Sequence, residues 1–166
     1  DGAPAGRRGP IKREGDGRSP AGAFAVRGAY GYAAAPPPGT RLPYTAVTSA
    51  WQCVDDPRSA HYTQIVDRGR VEVDWRSAEA MRRDDALYTW VIDLAHNPTA
   101  AADAGSCIFF HVWSRADRPT IGCTAMAARD MAALVPALAP GAIYVLLPRA
   151  EYAAFAAAWG LPSDEK

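Results

Sequence analysis

The stretch that decides the fold and the chemistry is residues 105–126, which read GSCIFFHVWSRADRPTIGCTAM. Its first part, Ser106 to Trp113, is rich in aromatic and β-branched residues and predicts a buried strand that contains His111. A turn follows, and Cys123 then precedes an alanine-rich segment, Thr124 to Val135, with apolar residues at helical spacing. The sequence therefore predicts a strand and a helix that bring a histidine and a cysteine near one turn.

This arrangement makes Cys123 and His111 candidates for nucleophilic catalysis. A cysteine at the N-terminus of a helix faces the positive end of the helix dipole, which lowers the pKa of its thiol. A histidine within reach accepts the thiol proton. Gly122 allows a close approach of the backbone, so its N–H group and that of Cys123 are candidates for an oxyanion hole. The alternative is that Cys123 is an inert buried thiol, because free cysteine is among the most buried residue types.

The composition is that of one globular domain. The 166 residues include 49% hydrophobic residues and carry 18 Lys and Arg against 18 Asp and Glu. A net charge of zero gives no electrostatic reason to expect a nucleic acid as partner. The longest apolar runs are far shorter than the ~20 residues that a membrane span needs. Since the chain has neither a CxxC nor an HxxxH pattern, we expect no metal and no other cofactor.

Short segments separated by turns predict a mainly β fold with a few helices. The expected strands are Ala21–Val26, Tyr44–Thr48, Leu87–Leu94, Ser106–Trp113 and Ala142–Leu147. The expected helices are Ser77–Arg83, Thr124–Val135 and Arg149–Trp159. Residues 1–10 have no periodicity and are expected to be a flexible arm or a truncated strand, so the folded domain is predicted to span residues 11–166. Because the chain opens without Met, it looks like a processed product.

The three cysteines leave two alternatives open. In an oxidising compartment Cys53 and Cys107 are expected to pair, which leaves Cys123 as a free thiol. In a reducing compartment all three are thiols, and Cys53 and Cys107 only fill space in the core.

The residues around Cys123 resemble the L,D-transpeptidase family, the YkuD-type catalytic domain of peptidoglycan enzymes. The family motif is a His, a spacer and then Ser/Thr-His-Gly-Cys, and it is similar to His111 followed by Thr-Ile-Gly-Cys at 120–123. Residues 12–24, KREGDGRSPAGAF, resemble the Lys-x-Glu-Gly-Asp-x-x-Thr-Pro-x-Gly-x-Phe hairpin of the superfamily. The likeness covers residues 11–162. Residues 53–57, CVDDP, 74–81, DWRSAEAM, and 122–126, GCTAM, resemble a divergent branch of the family. The chain departs from the common motif in a shorter spacer, in Ile121 in place of the second His and in Ala125 in place of an Arg.

The resemblance implies a β-sandwich of curved mixed sheets with the catalytic cysteine on a loop before a helix. It implies that Cys123 attacks the carbonyl of a peptidoglycan stem peptide between meso-diaminopimelate and a terminal D-Ala. His111 then carries the proton, oriented by the carbonyl of Val112 or Trp113, while backbone N–H groups around Ile121, Gly122 and Cys123 stabilise the oxyanion. An amine takes up the acyl group, which makes the protein an L,D-transpeptidase.

Arg76, Trp113, Thr120 and Ile121 are the expected substrate-binding residues. Arg76 is a candidate for gripping a substrate carboxylate, and its alternative is an ion pair with Asp74 or Glu79. The resemblance further implies a monomer that acts outside the cytoplasm, in the periplasm or cell envelope. Two alternatives use the same fold: an L,D-carboxypeptidase, in which water replaces the amine, and a non-catalytic module that binds the cell wall.

Overall fold

The computed structural model describes residues 10–162, and this part of the chain has a mainly β fold with two helices, as the sequence predicts. The predicted arm, residues 1–10, lies outside the described residues except for Pro10. The strands are β1 (Gly22–Gly31), β2 (Tyr44–Ala46), β3 (Trp51–Val54), β4 (Ile65–Asp67), β5 (Ala78–Ala80), β6 (Trp90–Leu94), β7 (Phe109–Val112), β8 (Thr124–Met126) and β9 (Ile143–Leu146). The helices are α1 (Ala128–Ala137) and α2 (Arg149–Trp159).

Within residues 10–162, six strands form one mixed sheet in the order β2-β1-β6-β7-β8, with β9 paired to β1. The first residues of β1 pair with β9, and the later residues pair with β6 and β2. The register of β1 against β6 shifts between Val26 and Gly28, and such a bulge bends a strand. One long bent strand therefore joins the two parts of the sheet.

A second sheet holds β4, β3 and β5 in that order, all antiparallel. A disulfide between Cys53 in β3 and Cys107, just before β7, joins this sheet to the larger one. Of the two alternatives for the cysteines, the structure shows the disulfide between Cys53 and Cys107, and Cys123 is the free thiol.

The six-stranded sheet is covered on both faces. Along β7, Phe110 and Val112 enter the core beneath α1, whereas Phe109 enters a second core with Cys53 of the smaller sheet. This alternation follows from the two-residue period of a strand. Since both faces are buried, the strand has a continuous apolar sequence interrupted only by His111.

The predicted helix at Ser77–Arg83 is wrong. Residues Ala78–Ala80 form β5, which pairs with β3 so that Glu79 lies opposite Cys53. The Met81 N–H extends this pairing by donating to the Trp51 carbonyl at 3.0 Å. Alanine, glutamate and methionine favour helix in isolation, but the strand pairing of β3 satisfies the backbone better here.

The predicted helix at Thr124–Val135 is correct only in its second part. Thr124 to Met126 form β8, a parallel partner of β7, and α1 begins at Ala128. The edge of β7 takes this segment as a strand because its N–H and C=O groups need partners. By contrast, α2 spans the predicted residues and is followed by Gly160 in the left-handed conformation, with φ of 62°.

Candidate active site

The pairing of β7 with β8 places His111 and Cys123 on the same face of the sheet. His111 lies opposite Ala125 in parallel register. Cys123 is two residues before Ala125, and side chains two residues apart in extended chain point to the same face. Both side chains line one cavity of about 260 Å³, which is bounded by residues from both sheets. The structure therefore brings the two predicted catalytic residues together.

Cys123 precedes a strand instead of the predicted helix, and its thiol is not activated by a helix dipole. Burial raises the pKa of the Cys123 thiol to about 12, and the charge of Glu79 adds to this effect. The Phe109 N–H group, which donates to Sγ of Cys123 at 3.4 Å, acts in the opposite direction. The expectation of a lowered pKa is thus wrong for the protein without substrate, because desolvation outweighs the one backbone donor.

His111 is held in a single orientation by its neighbour in the chain. Its Nδ1 lies 2.8 Å from the carbonyl oxygen of Val112. A carbonyl only accepts, so Nδ1 carries the hydrogen and Nε2 is the basic nitrogen of the neutral ring. Burial lowers the pKa of His111. The ring is therefore neutral at pH 7 and is able to take up a proton at Nε2.

The turn before Cys123 is braced by Thr120. Its hydroxyl donates to the Cys123 carbonyl at 2.6 Å and accepts from the Gly122 N–H at 3.3 Å. Gly122 has φ of 147°, and a Cβ there would lie 3.0 Å from Cδ1 of Ile108 and 3.1 Å from the Arg18 carbonyl. Only glycine fits this backbone without strain. The Gly122 N–H donates to an oxyanion only if its hydrogen bond to the Thr120 hydroxyl is broken first.

Three of the four predicted substrate-binding residues line the cavity: Trp113, Thr120 and Ile121. Ile121 is 82% exposed and lies at the rim. Trp113 continues the pairing of β7 with β8 through its N–H, which donates to the Met126 carbonyl at 2.9 Å. Arg76 is exposed and is not a lining residue; its backbone N–H donates to Asp56 at 2.9 Å.

Sequence reasoning missed a pair of residues beside the two predicted catalytic groups. Tyr88 donates its hydroxyl to Oε1 of Glu79, and both residues line the cavity. The Tyr88 ring meets the His111 ring edge to face, with 5.3 Å between centroids. Burial raises the pKa of both Glu79 and Tyr88. The available signal was the alternation in Tyr88 to Leu94, while Glu79 was hidden in a segment with helical propensity.

Charged residues also line the cavity, and the sequence analysis did not assign them to it. They are Lys12, Glu14, Asp55, Arg83 and Arg118. The Arg83 guanidinium lies 5.2 Å from the centre of the Tyr88 ring and forms an ion pair with Asp85 at 2.9 Å. The cavity thus combines a thiol, an imidazole and groups of both charges.

Within residues 10–162, no group of three or more His, Cys, Asp or Glu side chains is placed to hold a metal ion. In the same part of the chain, no helix has the length and apolar character needed to cross a membrane. Comparison with protein-family models, curated proteins and solved structures gives no match in any of the three. The fold and the site define a mainly β protein whose free cysteine and histidine face a common cavity.

Proposed function

We propose that the protein is a cysteine-dependent acyltransferase, specifically an L,D-transpeptidase that acts on peptidoglycan stem peptides. The observation that carries the proposal is the shared face of Cys123 and His111 in one cavity, with Nδ1 of His111 fixed by the Val112 carbonyl. These are the parts of a thiol nucleophile with a general base that is oriented by a third group. The resemblance of residues 11–162 to the family supplies the substrate class.

In the first step, Sγ of Cys123 bonds to the carbonyl carbon of the stem peptide while its proton passes to Nε2 of His111. The carbonyl electrons move to the oxygen, which backbone N–H groups near Gly122 stabilise. When the tetrahedral intermediate collapses, the C–N bond breaks and His111 gives the proton to the leaving amine. A thioester on Cys123 remains, and His111 is neutral again.

In the second step, the amino group of an acceptor peptide attacks the thioester carbon. His111 takes the proton from the attacking nitrogen, the C–S bond breaks, and the sulfur leaves and regains the proton. The product is an amide, so no water or external oxidant or reductant enters the balance.

The pKa shifts of Cys123 and His111 determine how the first step begins. Burial raises the pKa of Cys123 and lowers the pKa of His111, so both groups are neutral in the protein without substrate. A preformed thiolate and imidazolium pair is therefore disfavoured. His111 acts as a general base that removes the proton as the sulfur attacks.

The disulfide supports a place outside the cytoplasm for this activity. A bond between Cys53 and Cys107 is stable in oxidising compartments and is rarely kept in a reducing cytosol. We therefore propose the cell envelope as the site of action, where peptidoglycan is accessible.

The test is incubation of the protein with a tetrapeptide stem, followed by mass spectrometry of the products. A crosslinked dimer supports the transpeptidase, and a free tripeptide alone supports the carboxypeptidase. Cys123→Ala and His111→Gln are expected to lose the product, and Arg115→Gln, a charge removed from an exposed position outside the cavity, is expected to keep it. An unchanged product with Cys123→Ala would show that the assignment is wrong.

One observation favours a second candidate, a cell-wall binding module without catalysis. Cys123 is only 9% exposed, and its raised pKa is typical of an inert thiol. Iodoacetamide labelling at neutral pH separates the two candidates. Labelling of Cys123 that depends on His111 supports the enzyme, whereas labelling as slow in the wild type as in His111→Gln, together with binding of intact peptidoglycan, supports the module.

A further inference from the structure

One wall of the cavity is formed by carboxylates that the proposed reaction does not use. Asp55 directly follows β3, and Glu79 lies in β5, which pairs with β3. Both side chains line the cavity that contains Cys123 and His111. Burial raises the pKa of Glu79, whereas the Tyr88 hydroxyl and the charge of Arg83 act in the opposite direction. The charge of Asp55 adds to the rise, so the two carboxylates are close enough to interact. We call Asp55 and Glu79 the acidic wall.

The acidic wall has unused capacity to accept hydrogen bonds. Oδ1 of Asp55 is buried, and no donor among the described residues reaches it. A buried carboxylate oxygen without a donor is unfavourable, because it has lost its hydrogen bonds to water and no protein donor replaces them. Glu79 accepts from the Tyr88 hydroxyl at Oε1, and an ionised carboxylate has about four acceptor positions in all. The wall therefore fits a ligand that brings several N–H donors and a positive charge.

Two of the three basic side chains that line the cavity are already engaged with other carboxylates. Arg83 makes three hydrogen bonds to the Asp85 carboxylate, at 2.9 to 3.2 Å. Lys12 donates to Asp16 at 2.5 Å and to the Arg13 carbonyl at 2.6 Å. These two cations donate to other groups, and Oδ1 of Asp55 is left for a donor from a bound molecule.

We propose that Asp55 and Glu79 bind an ammonium group, so that the cavity selects ligands that carry a free primary amino group. An ammonium group has three N–H donors and no acceptor, which matches the buried Oδ1 of Asp55, which has no donor, and the remaining acceptor positions of Glu79. The identity of the substrate as a stem peptide rests on the proposed function. The binding of an ammonium group does not, because it needs no acyl transfer.

The proposed contact also couples recognition to the nucleophile. The charge of Glu79 disfavours the thiolate of Cys123, so a cation bound beside Glu79 offsets that effect. The other titratable or charged groups that line the cavity are Lys12, Glu14, Arg83, Tyr88, His111 and Arg118. Lys12 and Arg83 have ion pairs, and Glu14 accepts from the hydroxyl groups of Tyr62 and Ser106, whereas Oδ1 of Asp55 has no donor.

The first experiment measures binding by calorimetry with the Cys123→Ala protein, in which no acylation occurs. The probes are a tetrapeptide stem with lysine at position three and the same peptide with its ε-amino group acetylated. We expect the free amine to bind at least tenfold more tightly. Adding Glu79→Gln should make the two affinities equal, whereas Glu72→Gln, an exposed position outside the cavity, should preserve the difference.

The second experiment needs no peptide. The rate of iodoacetamide labelling of Cys123 at pH 8 is measured with n-butylammonium and with n-butanol, its neutral counterpart. The cation should raise the rate at least threefold in the wild type and leave the Glu79→Gln rate unchanged. Melting temperatures of all variants show whether the substitution has merely loosened the fold.

The outcomes separate this proposal from the proposed function. A difference between charged and neutral probes that disappears in Glu79→Gln supports the ammonium site, even if no crosslinked product is ever formed. Equal behaviour of charged and neutral probes in both experiments overturns it, even if the protein is an active transpeptidase. A Glu79→Gln protein that weakens both peptides equally also overturns it, since that is the effect of a structural residue.

Discussion

The carbonyl oxygen of Cys107 accepts a hydrogen bond from Sγ of Cys123 at 3.4 Å, while the sulfur of Cys107 is bonded to Cys53. One residue thus contacts the free thiol through its backbone and the smaller sheet through its side chain. Glu79 lies opposite Cys53 in that sheet. The disulfide therefore holds the acidic wall at a fixed place relative to the thiol.

Replacement of both disulfide cysteines by serine is expected to lower the free energy of unfolding by about 4 kcal/mol, the chain-entropy value for a separation of 54 residues. Urea denaturation measures the change. Reduction of the wild type should give a loss of the same size, and reduction of the double variant should give none. An unchanged unfolding midpoint in the double variant would contradict this prediction.

The catalytic rate is expected to fall as the pH decreases below 6.5. In the proposed mechanism His111 acts only in its neutral form, and burial lowers its pKa from 6.5, so the acid limb of kcat/KM should have its midpoint below that value. The folded state should also lose stability on the same side, because protonation of the buried ring is easier in the unfolded chain. A pH profile of the rate, and the unfolding free energy of the wild type against His111→Gln, check both statements. An acid limb centred above pH 6.5 would be incompatible with the buried ring.

Gly122→Ala is expected to destabilise the protein by about 1–3 kcal/mol and to abolish activity, because a Cβ there meets the Arg18 carbonyl and Ile108 in a backbone with positive φ. Gly141→Ala is the matched control, since Gly141 has φ of 86° and open space around it. It should cost about 1 kcal/mol and keep activity. Thermal unfolding and product formation are the measurements, and equal effects of the two substitutions would argue against the close contact.

Tyr88→Phe is expected to lower stability by about 1–3 kcal/mol, because Glu79 loses its hydroxyl donor inside the protein. The ring remains, so the edge contact with His111 and the fold should persist. Tyr152→Phe is the control: its hydroxyl donates to the Pro162 carbonyl at the surface, and its loss should change stability by less than about 1 kcal/mol. Denaturant titration of both variants measures the two losses in the free energy of unfolding.

Arg76→Ala is expected to leave kcat and KM within about twofold of the wild type, a change below about 0.5 kcal/mol. Arg76 is exposed, lies outside the cavity and contributes a backbone N–H to Asp56, which alanine retains. Steady-state kinetics with a stem peptide test this. A large rise in KM would restore the carboxylate-binding role that the sequence predicted for this residue.

Local sequence was enough to predict the elements with a strong signal of their own. The helix α2 has aromatic residues on one face and ends before Gly160, and β7 is a run of buried apolar residues. The three-residue strand β5 has no such signal. Its conformation comes from pairing with β3, and so does the change of Thr124 to Met126 from predicted helix to strand beside β7.

At the site, too, some residues have a local sequence signal and others depend on distant parts of the chain. Cys123, Gly122 and His111 lie close in sequence, so a local pattern is enough to predict that they share a site, and all three line the cavity. Glu79 and Asp55 reach the cavity through β3, β5 and a disulfide that joins positions 54 residues apart. The raised pKa of the thiol depends on burial by these distant segments, which no local pattern contains.

The parallel pairing of β7 with β8 has a consequence for how the chain tolerates change. Side chains alternate between faces, so a shift of β8 by one residue would turn Cys123 away from His111 and into the other core. The exposed connection through Ser114 to Arg118 carries no such constraint. Insertions there should leave the two groups aligned, whereas a single residue added between Cys123 and Thr124 should turn Cys123 to the opposite face.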